Sequence, residues 1–268
     1  MKNLPKKKWG QNFLTNTDTI LDMISALKIK PTDRILEIGP GKGALTEYII
    51  PQAEFVLALE IDQELTQILG KDFGSYDKFK VINKSILDID ISEIKNKYKI
   101  NKIIGSLPYN ISKKIIEKFC TNYDFNFEIC IFMLQQEVAF SYLGSKQAKS
   151  TLLSVELNNF NLVNLISKVD KYKFFPVPKV ESAIIKFRPR RKILIPNTEI
   201  QEFIKFTQNC FRNPRKKLAK NLGNIYRSLP WKTILAELSH SENIRIAQLT
   251  EQQVLDLYYS FKKLSLNA

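Results

Sequence analysis

Residues 103–112 read IIGSLPYNIS. An apolar run ends there in a hydroxyl, a rigid proline and a flat aromatic ring, all within four positions. Ser106 can accept a hydrogen bond, Pro108 restrains the turn and so directs the Leu107 carbonyl, and Tyr109 offers a stacking surface. Alone, the segment reads equally well as a strand-ending turn with a buried tyrosine. Upstream lies LEIGPGKGALT, in which Gly39, Gly41 and Gly43 form a G-x-G-x-G bend where backbone can approach a ligand closely. The spacing is not G-x-G-x-x-G, and Pro40 removes one N–H from any pyrophosphate cradle. Glu37, just inside the bend, is a poor neighbour for phosphate and a good one for a cation. Glu60 closes ALEID, 17 residues after Gly43, where a carboxylate can accept both ribose hydroxyls of an adenosine-bearing cofactor. S-adenosylmethionine has no phosphate and carries sulfonium and ammonium groups, so it fits this set better than a nicotinamide dinucleotide.

With that cofactor in view, GSLPYN resembles the [DNS]-P-P-[YF] site of methyltransferases that act on adenine N6 or cytosine N4. The resemblance implies a specific job for each residue. An exocyclic adenine amine is not basic, because its lone pair is delocalised into the ring, and attack on a methyl group requires the nitrogen to pyramidalise. Ser106 and the Leu107 carbonyl would bond its two hydrogens and hold the lone pair toward the sulfonium. Tyr109 would stack on the base, an interaction worth about 1–3 kcal/mol. Pre-paid orientation supplies several kcal/mol more. No strong general base is required.

These residues need elements to hold them. Short apolar runs at 34–39, 55–61, 79–82, 102–107 and 127–134 are rich in Ile, Val and Phe and too short for helices. Helical stretches at 62–72 and 111–122 lie between them, and Thr17–Leu27 is amphipathic with Asn16 placed to cap it. The alternation predicts a mostly parallel sheet covered on both faces. Segments 162–171 and 180–189 flank YKFFPVPK and read as a late strand pair. After Pro189 only helices are expected, at 197–211, 214–225, 231–238 and 249–264, the last with a Thr250–Gln253 capping box. A domain boundary is therefore placed near 190.

Composition excludes several function classes. The 268 residues include one histidine, His240, in a polar stretch, which leaves Ser-His-Asp and His-rich metal chemistry unsupported. Cys120, Cys130 and Cys210 form no C-x-x-C pair, so neither a disulfide framework nor a cysteine zinc site is expected. No apolar run approaches the roughly 20 residues of a membrane helix, and the N-terminus lacks a signal-peptide core. A soluble, cytoplasmic, monomeric protein is expected. Lys and Arg total 41 against 27 Asp and Glu, a net +14. Lysine-rich coding bias would produce part of this, but the cations cluster in the N-terminal tail and from Lys186 to Lys220, which favours nucleic acid as partner.

Taken in order, the motifs resemble those of the KsgA/RsmA-type 16S rRNA adenine N6,N6-dimethyltransferases. They are KKKWGQNFL (6–14), EIGPGKGALT (37–46), LEID (59–62), LPYNIS (107–112), FMLQQEVA (132–139), FFPVPKVESAIIKF (174–187) and FRNPRKKLAKNLGN (211–224). The resemblance implies an α/β fold: a Rossmann-like class I methyltransferase sheet of seven strands, the last pair antiparallel, with a small all-α C-terminal domain. It places the cofactor-binding domain, with a basic tail, at 1–190 and a helical rRNA-binding domain at 191–268. Asn12, Leu14, Gly39, Gly41, Glu60, Ile61, Ser85 and Ser106 would hold S-adenosylmethionine. Ser106, Leu107, Pro108, Tyr109 and Phe174 would form the catalytic set, with Phe174 facing Tyr109 across a flipped base. Lys7, Lys8, Arg190, Arg191, Arg215, Lys216 and Lys217 would contact rRNA backbone. The implied substrate is a pair of adjacent adenosines in the terminal hairpin of 16S rRNA, within the 30S subunit or its precursor.

Two positions depart from the family pattern. Ser106 stands where Asn or Asp is usual, and Ser85 where an Asp usually bonds the cofactor's adenine amine, with Asp88 a possible substitute one turn on. Two other readings remain open: a 23S rRNA adenine methyltransferase of the resistance type, and a non-catalytic rRNA-binding assembly factor. A nicotinamide dehydrogenase is more distant.

Overall fold

The computed structural model of the chain describes residues 6, 11–120, 127–144, 150–191 and 193–265. In chain order its elements are β1 (Phe13–Leu14), α1 (Thr17–Leu27), β2 (Arg34–Ile38), α2 (Thr46–Ile49), β3 (Phe55–Glu60), α3 (Gln63–Phe73), β4 (Phe79–Asn83), α4 (Ile91–Tyr98), β5 (Lys102–Ser106), α5 (Ser112–Cys120), β6 (Ile129–Gln135), α6 (Gln136–Tyr142) and α7 (Leu152–Phe160). The remainder are β7 (Asn161–Val169), β8 (Phe174–Phe175), β9 (Ser182–Pro189), α8 (Ile200–Phe211), α9 (Leu218–Gly223), α10 (Trp231–Glu237) and α11 (Glu251–Ser265). The chain divides into two compact units: Met1–Ala139 with Leu162–Pro189, and Phe140–Asn161 with Arg190–Ala268. A single boundary near 190 keeps everything before it together; the sequence reading assigns no helix at 152–160, although Thr151 caps one there, and nothing in the local pattern assigns 140–161 to the second unit.

In the first unit seven strands lie in the order β4-β3-β2-β5-β6-β9-β7. Strand β2 is parallel to both β3 and β5, β3 to β4 and β5 to β6, while β9 runs antiparallel to β6. That is the expected sheet of parallel strands with an antiparallel addition. Its central strands are buried along nearly their whole length, as strands covered on both faces must be. Register then sets the position of the motifs. Ile38 of β2 pairs with Leu59 of β3 on one side and Gly105 of β5 on the other. The next residues along these three strands are Gly39, Glu60 and Ser106, so three separate motifs emerge side by side at one edge, where the strand order reverses and ligands bind in such folds.

The opposite edge is held by a buried ion pair. Lys102 Nζ donates to Asp33 Oδ2 at 2.6 Å, and both side chains are 1% exposed. Asp33 also accepts from Asn101 Nδ2 at 2.8 Å and the Lys30 N–H at 2.6 Å. The charge therefore stays compensated out of water.

The second unit is helical. Its core gathers Phe203, Phe206, Trp231, Tyr258 and Phe261, with the Phe206 and Phe261 rings stacked at 4.8 Å. The Thr250 hydroxyl accepts from the Gln253 N–H at 3.1 Å, and the Gln253 amide oxygen accepts from the Thr250 N–H at 2.8 Å, the expected capping box. Helix α9 begins at Leu218 rather than near 214, because Pro214 and three successive cations occupy a turn instead. Among the described residues no helix is long and apolar enough to cross a membrane.

Candidate active site

The three strand ends open onto a cleft of about 240 Å³ in the first unit. Its walls include every residue that the sequence assigns to cofactor and catalysis: Asn12, Leu14, Gly39, Gly41, Glu60, Ile61, Ser85, Ser106, Leu107, Pro108, Tyr109 and Phe174. The glycine bend arises from backbone geometry. Gly39 and Gly41 have φ of 65° and 60°, a region L side chains adopt at a cost. A Cβ on Gly41 would lie 3.1 Å from the Phe13 ring, so the bend also lets β1 lie over it.

Glu60 is buried, and its two oxygens accept from the Gly41 N–H at 3.1 Å and the Asp62 N–H at 2.9 Å. Burial pushes its carboxyl above the usual range, although these backbone donors pull the other way. A carboxylate held by backbone N–H groups keeps lone pairs for further donors such as hydroxyls. Asp62 caps α3 through the Glu64 N–H at 3.1 Å and takes Lys6 Nζ at 2.9 Å and Gln11 Nε2 at 3.0 Å, which fixes Gln11 at the cleft wall. Glu37, fully buried beneath the bend, accepts from the Thr46 hydroxyl at 2.7 Å, while its Oε1 has no hydrogen-bond partner among the described residues. Burial, reinforced by nearby Glu60, raises its pKa to about 7.

Several backbone groups of the turn after β5 are tied down. The Leu107 N–H donates to the Met133 carbonyl at 3.1 Å, the Pro108 carbonyl accepts from the Ile111 N–H at 3.2 Å, and the Tyr109 carbonyl accepts from the Ser112 hydroxyl at 3.2 Å. The Leu107 carbonyl and the Ser106 hydroxyl take no protein hydrogen bond among the described residues. Tyr109 is held by its phenol, 2.7 Å from the hydroxyl of fully buried Ser182 on β9. Burial raises the phenol's pKa despite that bond, so the group stays neutral.

Phe174 reaches the cleft through a feature that sequence reasoning missed: β8 pairs antiparallel with β1, placing Leu14 opposite Phe174 and Phe13 opposite Phe175. Two-residue strands leave no periodicity to detect. Ser182, Phe13, Lys42, Lys84 and Phe175 are further residues that the motifs do not single out, and the last four line the cleft. Ser85 lines it too, its hydroxyl accepting from the Leu87 N–H at 3.2 Å. Asp88 is exposed and forms no part of the wall, so the structure does not bring it forward as a substitute.

The cations assigned to RNA behave differently from one another. Lys7 and Lys8 lie outside the described residues. In the second unit Arg190 is half-buried, its Nε donating to the Asn158 carbonyl at 2.9 Å, so it also serves structure. Arg191, Arg215, Lys216 and Lys217 are exposed. The last three occupy the turn between α8 and α9, braced by Arg245 Nε on the Arg215 carbonyl at 2.8 Å.

Comparison with known proteins bears on this geometry. The sequence matches the family model described as "Ribosomal RNA adenine dimethylase" over residues 2–263. It is 31% identical over 256 residues to a protein of Sulfurihydrogenibium sp. named "Ribosomal RNA small subunit methyltransferase A", covering 95% of each chain. A dimethyladenosine transferase from Plasmodium falciparum superposes with a TM-score of 0.75 at 25% identity, covering 94% of this chain and 98% of that one. The 23S rRNA methyltransferase ErmE shares the fold, with a TM-score of 0.77 at 23% identity over 94% of this chain and 100% of its own.

Proposed function

The chain belongs to the ribosomal RNA adenine dimethylase family, and from that premise we propose that it dimethylates N6 of two adjacent adenosines in the terminal hairpin of 16S rRNA. The observation that carries this reading is the pair of acceptors, Ser106 Oγ and the Leu107 carbonyl, which line the cleft and take no protein hydrogen bond among the described residues, while the adjoining Leu107 N–H, Pro108 carbonyl and Tyr109 carbonyl are bonded.

S-adenosylmethionine supplies the electrophilic methyl group, carried on a sulfonium. The residues present suit it. Glu60 retains acceptor capacity for ribose hydroxyls, and the Gly39–Gly41 bend leaves open backbone where a pyrophosphate would need an N–H that Pro40 lacks. Ser85 would border the adenine, and Asn12, Leu14 and Ile61 would close the pocket around the nucleoside. On the substrate side, Ser106 and the Leu107 carbonyl would each accept one hydrogen of the N6 amine, so its lone pair points away from both. Pro108 fixes that carbonyl. Tyr109, oriented by Ser182, and Phe174 would clamp the extruded base. The nitrogen gains a carbon and releases one proton to solvent, which requires no dedicated base. A second round needs only one hydrogen bonded and the first methyl accommodated.

The 1–190 region would then supply cofactor and chemistry, and the helical region from 191 would position rRNA through Arg191, Arg215, Lys216 and Lys217, contacts that orient without reading sequence. We place the reaction in the cytoplasm, on the 30S subunit or its precursor, with a monomer acting alone. Under-methylated small subunits and, in a parallel reaction, unmethylated 23S rRNA incubated with the protein and radiolabelled cofactor test the proposal, with primer extension read on both rRNAs. Stops at two adjacent 16S adenosines support it. Stops on 23S rRNA would move the substrate, and binding without incorporation would leave an assembly role alone.

A further inference from the structure

Two aromatics at the cleft, Phe13 and Phe175, have no role in the methyl transfer. In the β1–β8 ladder directly opposed residues share a face. Leu14 and Phe174 share the inner one: both are buried and both belong to the core. Phe13 and Phe175 share the other, and both line the cleft. Phe175 is nonetheless 57% exposed, a large apolar ring left in water at the mouth. It is not a solitary surface residue, because Tyr172, Val177 and Val180 are exposed in the same segment.

The charge around this ring is positive. Lys42 Nζ sits 5.0 Å from the Phe13 ring centroid and Lys171 Nζ 5.3 Å from that of Tyr172. Lys173 and Lys179 complete the segment. The flanking carboxylates are occupied by backbone, Asp170 accepting from the Tyr172 N–H and Glu181 from the Lys171 N–H, each at 2.8 Å. Exposed aromatic faces among unpaired cations are how proteins hold single-stranded nucleic acid, with bases on the rings and phosphates near the ammonium groups.

We infer that the Phe175 face of the β1–β8 ladder is a second base subsite, which stacks the nucleotide adjacent to the adenosine being methylated. Phe174 and Phe175 lie on opposite faces of the ladder, yet both line the cleft, so a nucleotide joined to the base at Phe174 is within reach of the exposed Phe175 ring at the mouth. The inference rests on the proposed activity and deepens it: the enzyme would keep hold of the second adenosine while the first reacts.

The test uses a hairpin RNA with 2-aminopurine beside the target adenosine. The wild-type protein quenches the probe on binding, Phe175→Leu leaves it bright, and Phe175→Trp restores quenching because it restores a π face. RNA affinity of Phe175→Leu falls about fivefold, the lower end of what one stacked base contributes. On RNA made abasic at the neighbouring position, wild type and Phe175→Leu bind equally. Unfolding midpoints check that each variant folds. Equal quenching by wild type and Phe175→Leu, or none by either, overturns the subsite while leaving methylation of subunits to stand or fall by its own assay.

Discussion

Replacing Tyr109 separates two contributions that the structure assigns to different atoms. Its ring faces the cleft, whereas its hydroxyl is spent on Ser182 at 2.7 Å. Tyr109→Ala removes the ring, and the absence of a base stack worth about 1–3 kcal/mol predicts a fall of roughly 5- to 150-fold in kcat/KM. Tyr109→Phe keeps the ring and strands the fully buried Ser182 hydroxyl, which costs about 1–3 kcal/mol of stability. Turnover should therefore hold in Tyr109→Phe while its urea midpoint falls, and adding Ser182→Ala should recover much of that deficit, since neither partner is then left unpaired. Affinity for S-adenosylhomocysteine, measured by calorimetry, should be preserved in Tyr109→Ala. Methylation of small subunits at varied substrate concentration gives the kinetic constants. If Tyr109→Ala kept kcat/KM within about twofold of wild type, or if Tyr109→Phe were as inactive as Tyr109→Ala, the stacking role would be wrong.

Glu37 makes stability depend on pH. Its pKa rises from the ordinary 4.5 to about 7 on folding, so the folded state binds the extra proton. The stabilisation is full below about pH 4.5 and is lost as pH rises through 7, a difference of about 3 kcal/mol. Glu37→Gln should gain about that much on wild type between pH 4.5 and 8 in urea unfolding, and parallel pH curves would contradict it. Lys102→Met should cost about 3–5 kcal/mol by leaving Asp33 charged and buried, and Lys102→Met with Asp33→Leu should restore most of it; equal stability of the single and double variants would refute the stranded Asp33 charge as the cause of the loss. Replacing Arg215, Lys216 and Lys217 by alanine should lower the salt slope of rRNA binding by about 0.7–0.9 for each phosphate no longer neutralised, as read by filter binding at several salt concentrations, and an unchanged slope would place the RNA elsewhere.

Much of the site was legible in the chain because its chemistry is local. A glycine bend, an acidic residue at the end of the next strand and a proline-braced turn each declare themselves within a few residues, and the apolar runs behind them state the parallel sheet. What they left undetermined was set by pairing. Register alone puts Gly39, Glu60 and Ser106 on one row, since a strand's pattern says which faces are buried but not which partner lies alongside. Ser182 could be matched to Tyr109 only through the antiparallel β6–β9 ladder, 73 residues away in sequence. The β1–β8 pair is too short to carry a period, so the burial of Phe174 and the exposure of Phe175, two identical neighbours in sequence, were decided by the fold. Asp88, at the end of the 3-10 turn that Ser85 caps, looked usable in sequence and belongs to no wall of the cleft. Side-chain identity fixed the kinds of bonds available here, and long-range strand pairing chose which of them could form.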